Sequence, residues 1–272
     1  EKDRMVKCER KLGNAYYHVK SYKKAIECLE NANEKSHLKE KYDIIGHAYA
    51  KIGQYKKAMK CFSEDLIADQ NDKLRQARTQ GSIGKLHIKT GEFQNAIECH
   101  KKAVDLIQQF VDSEDKTVEG KEAEAKAYCD LGCAYQANGQ YDEALKFQMK
   151  SLKLAENLKN KSQQGRAHKK IGNIESATGD YQQAIDSYYT CLDIVKNMEK
   201  STRLRVSSKL GCTWRSIGSH DNAVYHHKEQ VNMADNLKEK AQALANLGTD
   251  YEVYGDYVQG LKYQEEYLTV AK

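Results

Sequence analysis

The sequence predicts an all-α fold, a solenoid of about seven helix–turn–helix repeats, and three observations predict it. The stretch Leu131-Gly132-Cys133-Ala134-Tyr135-Gln136-Ala137-Asn138-Gly139-Gln140-Tyr141-Asp142-Glu143-Ala144 comes back six more times in its pattern of Leu-Gly, Tyr, Gly-x-Tyr and Ala. Proline is absent from all 272 residues, so no helix has to stop at one. Hydrophobic residues make up 40% and charged residues 31%, which suits an elongated body whose units bury their faces only against neighbours.

The repeat is defined by the second residue of each Leu/Ile-Gly pair: Gly13, Gly46, Gly84, Gly132, Gly172, Gly211 and Gly248. Seven residues on stand Lys20, Gly53, Gly91, Gly139, Gly179, Gly218 and Gly255, where a glycine suits a chain leaving the right-handed helical region. Nine residues on come Tyr22, Tyr55, Phe93, Tyr141, Tyr181, His220 and Tyr257, the expected start of each second helix. Twelve residues on, Ala25, Ala58, Ala96, Ala144, Ala184, Ala223 and Gly260 are all small, as close helix–helix approach requires. In the first helix Leu/Ile and Tyr lie four apart on one face, with the glycine between them admitting a neighbouring helix.

Taken in order, the helix pairs are expected at about 1–35, 38–70, 73–111, 121–160, 161–199, 200–237 and 238–272, all in one domain. In the third, Ala96, Ile97, Ala103, Val104, Ile107 and Val111 form one apolar stripe on the second helix. The acidic stretch from Asp112 to Gly120 then reads as a longer connection or an extended helix end, either a solvated spacer or a functional loop. In the sixth pair Trp214 replaces the usual Tyr and is expected in the core. Glu at position 1 and a second helix that stops at Lys272 are what a piece of a longer protein would show.

These landmarks resemble the tetratricopeptide repeat along essentially the whole chain. Successive origin glycines are 33, 38, 48, 40, 39 and 37 residues apart, mostly longer than the usual period of about 34. Leu12-Gly13-Asn14-Ala15-Tyr16, and Gly165-Arg166-Ala167-His168 before Ile171-Gly172-Asn173, look like the long-repeat subtype of G-protein-signalling modulators of the Partner-of-Inscuteable kind. Five copies lack that subtype's Asn after the glycine. The resemblance implies a right-handed superhelix whose concave surface binds partner proteins. Lys169 and Asn173 also match the first pair of a carboxylate clamp in chaperone-binding members, but Cys212 and Gln242 replace its next Asn and Lys.

Eight cysteines occur without a Cys-x-x-Cys pair, and Cys28, Cys61 and Cys99 share one offset in three successive repeats. That placement reads as small packing residues in a reducing compartment, so an intracellular and chiefly cytoplasmic location is expected, the nucleus remaining open. No apolar run reaches the ~18 residues of a membrane span, so membrane insertion is not expected. No nucleophile–base constellation, phosphate-binding glycine loop or metal-ligand spacing stands out, and the adjacent His226 and His227 point about 100° apart on a helix. The expectation is a protein that is not an enzyme and has neither cofactor nor metal.

The helical period and the resemblance together assign the inner surface to first-helix offsets −6, −3, +1, +4 and +5 from each origin glycine. Of these 35 positions, eleven are basic and three, Glu40, Asp43 and Glu252, are acidic, where whole-chain composition predicts about six and about five. The third to sixth repeats carry eight basic residues and no acidic one at these positions: Arg78, Lys85, Lys89, Lys126, Arg166, Lys169, Arg205 and Arg215. A concave surface of one sign attracts and steers a partner of the other. The candidate partner is therefore an acidic peptide or helical segment of another protein, gripped by these residues with Asn173 on its backbone. The alternative is RNA or another nucleic acid on the same surface, against which stands the single aromatic, Tyr17, among the 35 positions. Self-association through the C-terminal helix is a third possibility.

Overall fold

The computed structural model describes residues 2–36, 42–68, 72–113, 117–197 and 200–271. Among them are fourteen helices, arranged as seven consecutive pairs: α1 (Lys2–His18) and α2 (Tyr22–Lys35), α3 (Tyr42–Lys51) and α4 (Tyr55–Ala68), α5 (Lys73–Thr90) and α6 (Phe93–Ser113), α7 (Val118–Ala137) and α8 (Tyr141–Asn157), α9 (Lys161–Thr178) and α10 (Tyr181–Val195), α11 (Lys200–Ser216) and α12 (His220–Met233), α13 (Leu237–Val253) and α14 (Tyr257–Ala271). This is the all-α solenoid class that the repeat pattern predicts. Each second helix begins at the residue nine after its origin glycine, His220 included. His220 works there as a ring, 4.2 Å from Tyr254 and 5.4 Å from Tyr251 by centroid distance.

The chain forms two compact units, Glu1–Ala144 and Leu145–Lys272. In the first unit α1 packs on α2, α3 on α4 and α5 on α6, and α2, α4 and α6 each pack on the first helix that follows; in the second unit α9 to α14 continue the same order. First helices also meet directly, α1 with α3, α3 with α5 and α5 with α7 in the first unit, and α9 with α11 and α11 with α13 in the second. The first-helix side of each unit is therefore its tighter side.

The turns explain why the helices break where they do. Gly53, Gly91, Gly139, Gly179, Gly218 and Gly255 all have φ between 77° and 92°, the left-handed region, and Lys20 adopts φ 61° in the copy that lacks glycine. At Gly91 and Gly179 the next residue's N–H reaches back to close the helix, Glu92 to the His87 carbonyl and Asp180 to the Glu175 carbonyl, each at 2.8 Å. At the other end, Asp72, Thr117, Asn160 and Asn236 accept a backbone N–H three residues on and start α5, α7, α9 and α13.

The origin glycines set the spacing within a pair. A Cβ on Gly13, Gly46, Gly84, Gly172, Gly211 or Gly248 would meet Leu29, Phe62, His100, Tyr188, His227 or Gln264 at 2.5–2.8 Å, in each case the residue sixteen positions later. Around these contacts the core fills with residues such as Ile45, Phe62, Ile97, Ile185, Tyr188 and Leu210, each at most 1% exposed. Full burial of such a side chain stabilises by about 1.5–3 kcal/mol. Trp214 packs against the Ala184–Leu210 cluster of the second unit, as the sequence suggests. Polar pins join neighbouring pairs: Asp65, 1% exposed on α4, accepts from Arg75 at 2.5 Å and Thr79 at 2.6 Å on α5.

The long interval after the third pair is taken up by helix. The 21-residue α6 runs to Ser113 and the 20-residue α7 starts at Val118, so the extended-helix-end reading holds on both sides. Residues 114–116 of the acidic stretch, with Glu40, lie outside the described residues.

Two outcomes follow from the turns and from the buried histidines. Lys20→Gly relieves a left-handed backbone and should raise the urea midpoint, by about 0.5–1 kcal/mol of stability. Gly179→Ala should lower it by a similar amount, since nothing lies within 4 Å of the added Cβ and only the backbone resists. Equal shifts of one sign would contradict this account of the turns. His100, 1% exposed, is held neutral: burial pushes its pKa down to about 4, with Lys85 adding and Asp130 opposing. The unfolded chain's His binds its proton near 6.5, so stability is lost as pH falls from about 6.5 to 4. His100→Leu, copying Leu29 of the first repeat, should flatten the melting temperature across that window; an unchanged slope would refute it.

Candidate functional site

The basic residues predicted for the inner surface lie on first helices, and their environments differ between the two units. In the first unit, Arg78 on α5 is exposed and its Nη2 donates to Glu119 Oε1 on α7 at 3.0 Å. Lys85, about two turns further on, places Nζ 2.6 Å from Asp130 Oδ2, a carboxylate side chain only 9% exposed. Lys89 lies over the Tyr55 ring with Nζ 5.8 Å from its centroid. Lys126 on α7 is exposed and close enough to His47 on α3 to act on it. Burial lowers the His47 pKa, the charges of Lys85, Lys51 and Lys126 lower it further, and Asp43 alone opposes. Three lysines from α3, α5 and α7 thus converge on one imidazole, which also meets Ser82 Oγ at 3.3 Å.

Much of the positive charge in this unit is already answered within the fold. Glu119 and Asp130 sit on α7 at offsets the five-position inner stripe leaves out, and they face Arg78 and Lys85. A surface pair such as Arg78–Glu119 contributes little, about 0–1 kcal/mol, and opens readily to an incoming carboxylate. The Lys85–Asp130 pair is more shielded and holds α5 against α7.

In the second unit the predicted residues separate into two groups. Arg166 and Lys169 on α9 and Arg205 on α11 form a crowded cationic patch. The Lys169 pKa is lowered, first by burial and then by the charges of Lys170, Arg205 and Arg166, with Cys191 opposing. Among the described residues neither Lys169 nor Arg205 has an ion-pair partner. Asn173, one turn after Lys169, accepts the Tyr188 hydroxyl at 2.9 Å through Oδ1 and is thereby oriented from below.

Arg215 belongs to the second group and points inward. Its side chain is 22% exposed, Nη1 lies 2.8 Å from Asp250 Oδ1 on α13, and Asp250 is fully buried. The same carboxylate bonds through Oδ2 to Nδ1 of the fully buried His227 on α12. His227 Nε2 is 3.8 Å from Cys212 Sγ, and Arg215 Nη2 is 3.7 Å from the same sulfur. Sequence inspection expects no nucleophile–base constellation, yet three helices bring Cys212, His227, Asp250 and Arg215 together. No local spacing announces it, because Cys212 and Arg215 on α11 meet His227 and Asp250 only through α12 and α13. The nearest signal is His227 at the position sixteen after its glycine, where Leu29, Phe62 and Tyr188 stand in other repeats, though His100 shares the residue type in the third.

With this geometry in view, comparison with known proteins is informative. Two tetratricopeptide-repeat family models match, one over residues 122–197 and one over 42–64 and 77–110. No curated protein matches the chain by sequence. Among solved structures it is similar to a signal-transduction ATPase with numerous domains and a tetratricopeptide-repeat sensor from Pyrococcus horikoshii, at TM-score 0.75 and 14% identity over 96% of this chain and 41% of that one. It is also similar to the apo form of RapI, at 0.68 and 13% over 98% and 97%, and to a tetratricopeptide repeat protein from Parabacteroides merdae, at 0.68 and 12% over 99% and 94%. The helix pairs, their left-handed turn glycines and these matches agree on a tetratricopeptide-repeat fold, with the repeats themselves matched over residues 42–64, 77–110 and 122–197.

Proposed function

We propose that this chain is an interaction scaffold whose basic first-helix faces bind an acidic segment of a partner protein. Proteins built of these repeats generally act in protein–protein interaction and scaffolding. The observation that carries the finer reading is the patch of Arg166, Lys169 and Arg205. Crowding and burial make the charge on Lys169 costly, and a carboxylate laid across α9 and α11 would relieve that cost. Arg166 and Arg205 offer planar, forked donors to Asp or Glu, and Asn173 stands beside them for a backbone group. In the first unit Lys89 and Lys126 act in the same sense, with Arg78 and Lys85 exchanging their internal carboxylates for those of the partner.

We also read the repeats as the long subtype similar to G-protein-signalling modulators, on Leu12-Gly13-Asn14-Ala15-Tyr16 and on intervals of 37–40 residues in four of six cases. All eight cysteines are unpaired, which supports a reducing, intracellular setting. Among the described residues no helix is long and apolar enough to cross a membrane.

The test is fluorescence anisotropy with labelled Asp/Glu-rich peptides, a charge-matched Lys-rich peptide and a single-stranded RNA. Changing Arg166, Lys169 and Arg205 together to Glu should weaken acidic-peptide binding by about 100-fold while helicity and melting barely change, since partly exposed charges seldom govern stability. Binding should also weaken steeply with salt. Equal affinity of wild type and triple variant would end this reading, and tight RNA binding lost in the variant would replace it with the nucleic-acid alternative.

A further inference from the structure

The quartet around Asp250 sets Cys212 chemically apart from the buried Cys61 and Cys191. Cys212 follows Gly211, whose missing side chain admits the His227 ring; a Cβ there would lie 2.5 Å from Nε2. Both ring nitrogens of His227 face acceptors. Nδ1 bonds to the Asp250 carboxylate, and Nε2 lies 3.3 Å from the Ser208 carbonyl oxygen as well as 3.8 Å from Cys212 Sγ. A carboxylate can only accept, so Nδ1 carries hydrogen; a hydrogen on Nε2 as well, directed at the Ser208 carbonyl, makes the ring an imidazolium. Burial alone would strip that proton, but the hydrogen bonds to Asp250 and Cys212 and their charges push the pKa up to about 9.

Two cations, His227 and Arg215, therefore share one buried carboxylate. A second anion would balance them, and the Cys212 sulfur is the group that accepts from Arg215 Nη2 at 3.7 Å and lies 3.8 Å from His227 Nε2. Burial pushes the Cys212 thiol up, yet the hydrogen bond and charge of His227 and the charges of Arg215 and Lys209 outweigh it and bring the pKa down. Tyr188 on α10 is the other titratable group acting here, and its own pKa is raised by burial first, then by Cys212 and Glu175. The contrast is Cys191, fully buried, whose thiol donates to the Gly165 carbonyl at 3.0 Å and is pushed up to about 11. Cys61 is likewise buried and raised to about 11, whereas Cys212 is partly exposed.

We propose that Cys212, held between His227 and Arg215 and flanked by the exposed Lys209, is a site of reversible thiol–disulfide exchange with a small, anionic disulfide. The sulfur attacks one sulfur of the disulfide; a Cys212–S–S bond forms, the original S–S bond breaks, and the leaving thiolate departs with its electron pair and takes a proton from solvent. The cysteine is oxidised and half of the small disulfide is reduced. Imidazolium and guanidinium keep their protons, and a dithiol reductant reverses the reaction. The proposal stands apart from the acidic-segment reading, because none of its contacts involves Arg166, Lys169 or Arg205.

The experiment exposes the full chain to glutathione disulfide at pH 6.5 without oxygen and follows each cysteine by peptide mapping. An ordinary thiol of pKa about 8.5 is only ~1% ionised at that pH. Cys212 is expected to form its adduct at least ~10-fold faster than the exposed Cys8, and dithiothreitol should remove it. Cys8 reacting as fast or faster would overturn the proposal. Lys209→Gln, an exposed change that leaves the core intact, should reduce the Cys212:Cys8 rate ratio for glutathione disulfide but not for the neutral hydroxyethyl disulfide. An equal reduction with both reagents, or none with either, would remove the anionic preference. Arg215→Gln should slow Cys212 by about 10-fold with helicity retained; should that variant unfold, the wild-type ranking of Cys212 against Cys8 still decides.

Discussion

Everything in these helix pairs depends on a glycine lying flat against a side chain sixteen residues later. The contact fixes how closely the two helices of a pair approach, and the left-handed turn between them delivers the second helix at that distance. What fills the space is free to vary: Leu29, Phe62, His100, Tyr188, His227 and Gln264 all serve. A constraint on one partner and latitude in the other is how a repeat keeps its geometry while its chemistry drifts. The same latitude placed an imidazole against Gly211, and with it the possibility of a charged network inside a helix pair.

The fold was legible because its determinants are local. The origin glycine, the turn glycine, the aromatic and the small residue all lie within thirteen consecutive positions, and each second helix begins where the aromatic stands. Lys20 broke the pattern in residue type and kept it in backbone conformation, since the turn geometry is set by the helices on either side. The inner face was legible as a set of positions and less so as an electrostatic surface. Counting charges along one stripe of each first helix omits the stripe of the following helix that faces it. Glu119, Asp130 and Asp250 stand on such facing stripes, and they meet Arg78, Lys85 and Arg215. Helical periodicity tells which way a side chain points along its own helix; register between helices decides whom it meets.

That distinction divides the basic residues into two kinds. Lys85 and Arg215 spend charge on joining successive first helices, much as Arg75 and Thr79 do when they hold Asp65. Lys169 and Arg205 have no ion-pair partner among the described residues, and burial and neighbouring cations lower the Lys169 pKa with Cys191 opposing. A protein selected only for stability gains nothing from that arrangement. Surface kept under electrostatic tension of this kind is available for work outside the fold.

Among the described residues, the contacts given within each unit run between adjacent helix pairs, so the joints between pairs act in series. A load along either unit is shared among them, and a few degrees of rotation at each joint changes the distance between first helices without parting any helix from its partner. Any change in the spacing of first helices would carry their cationic side chains with it, Lys169 on α9 and Arg205 on α11 among them.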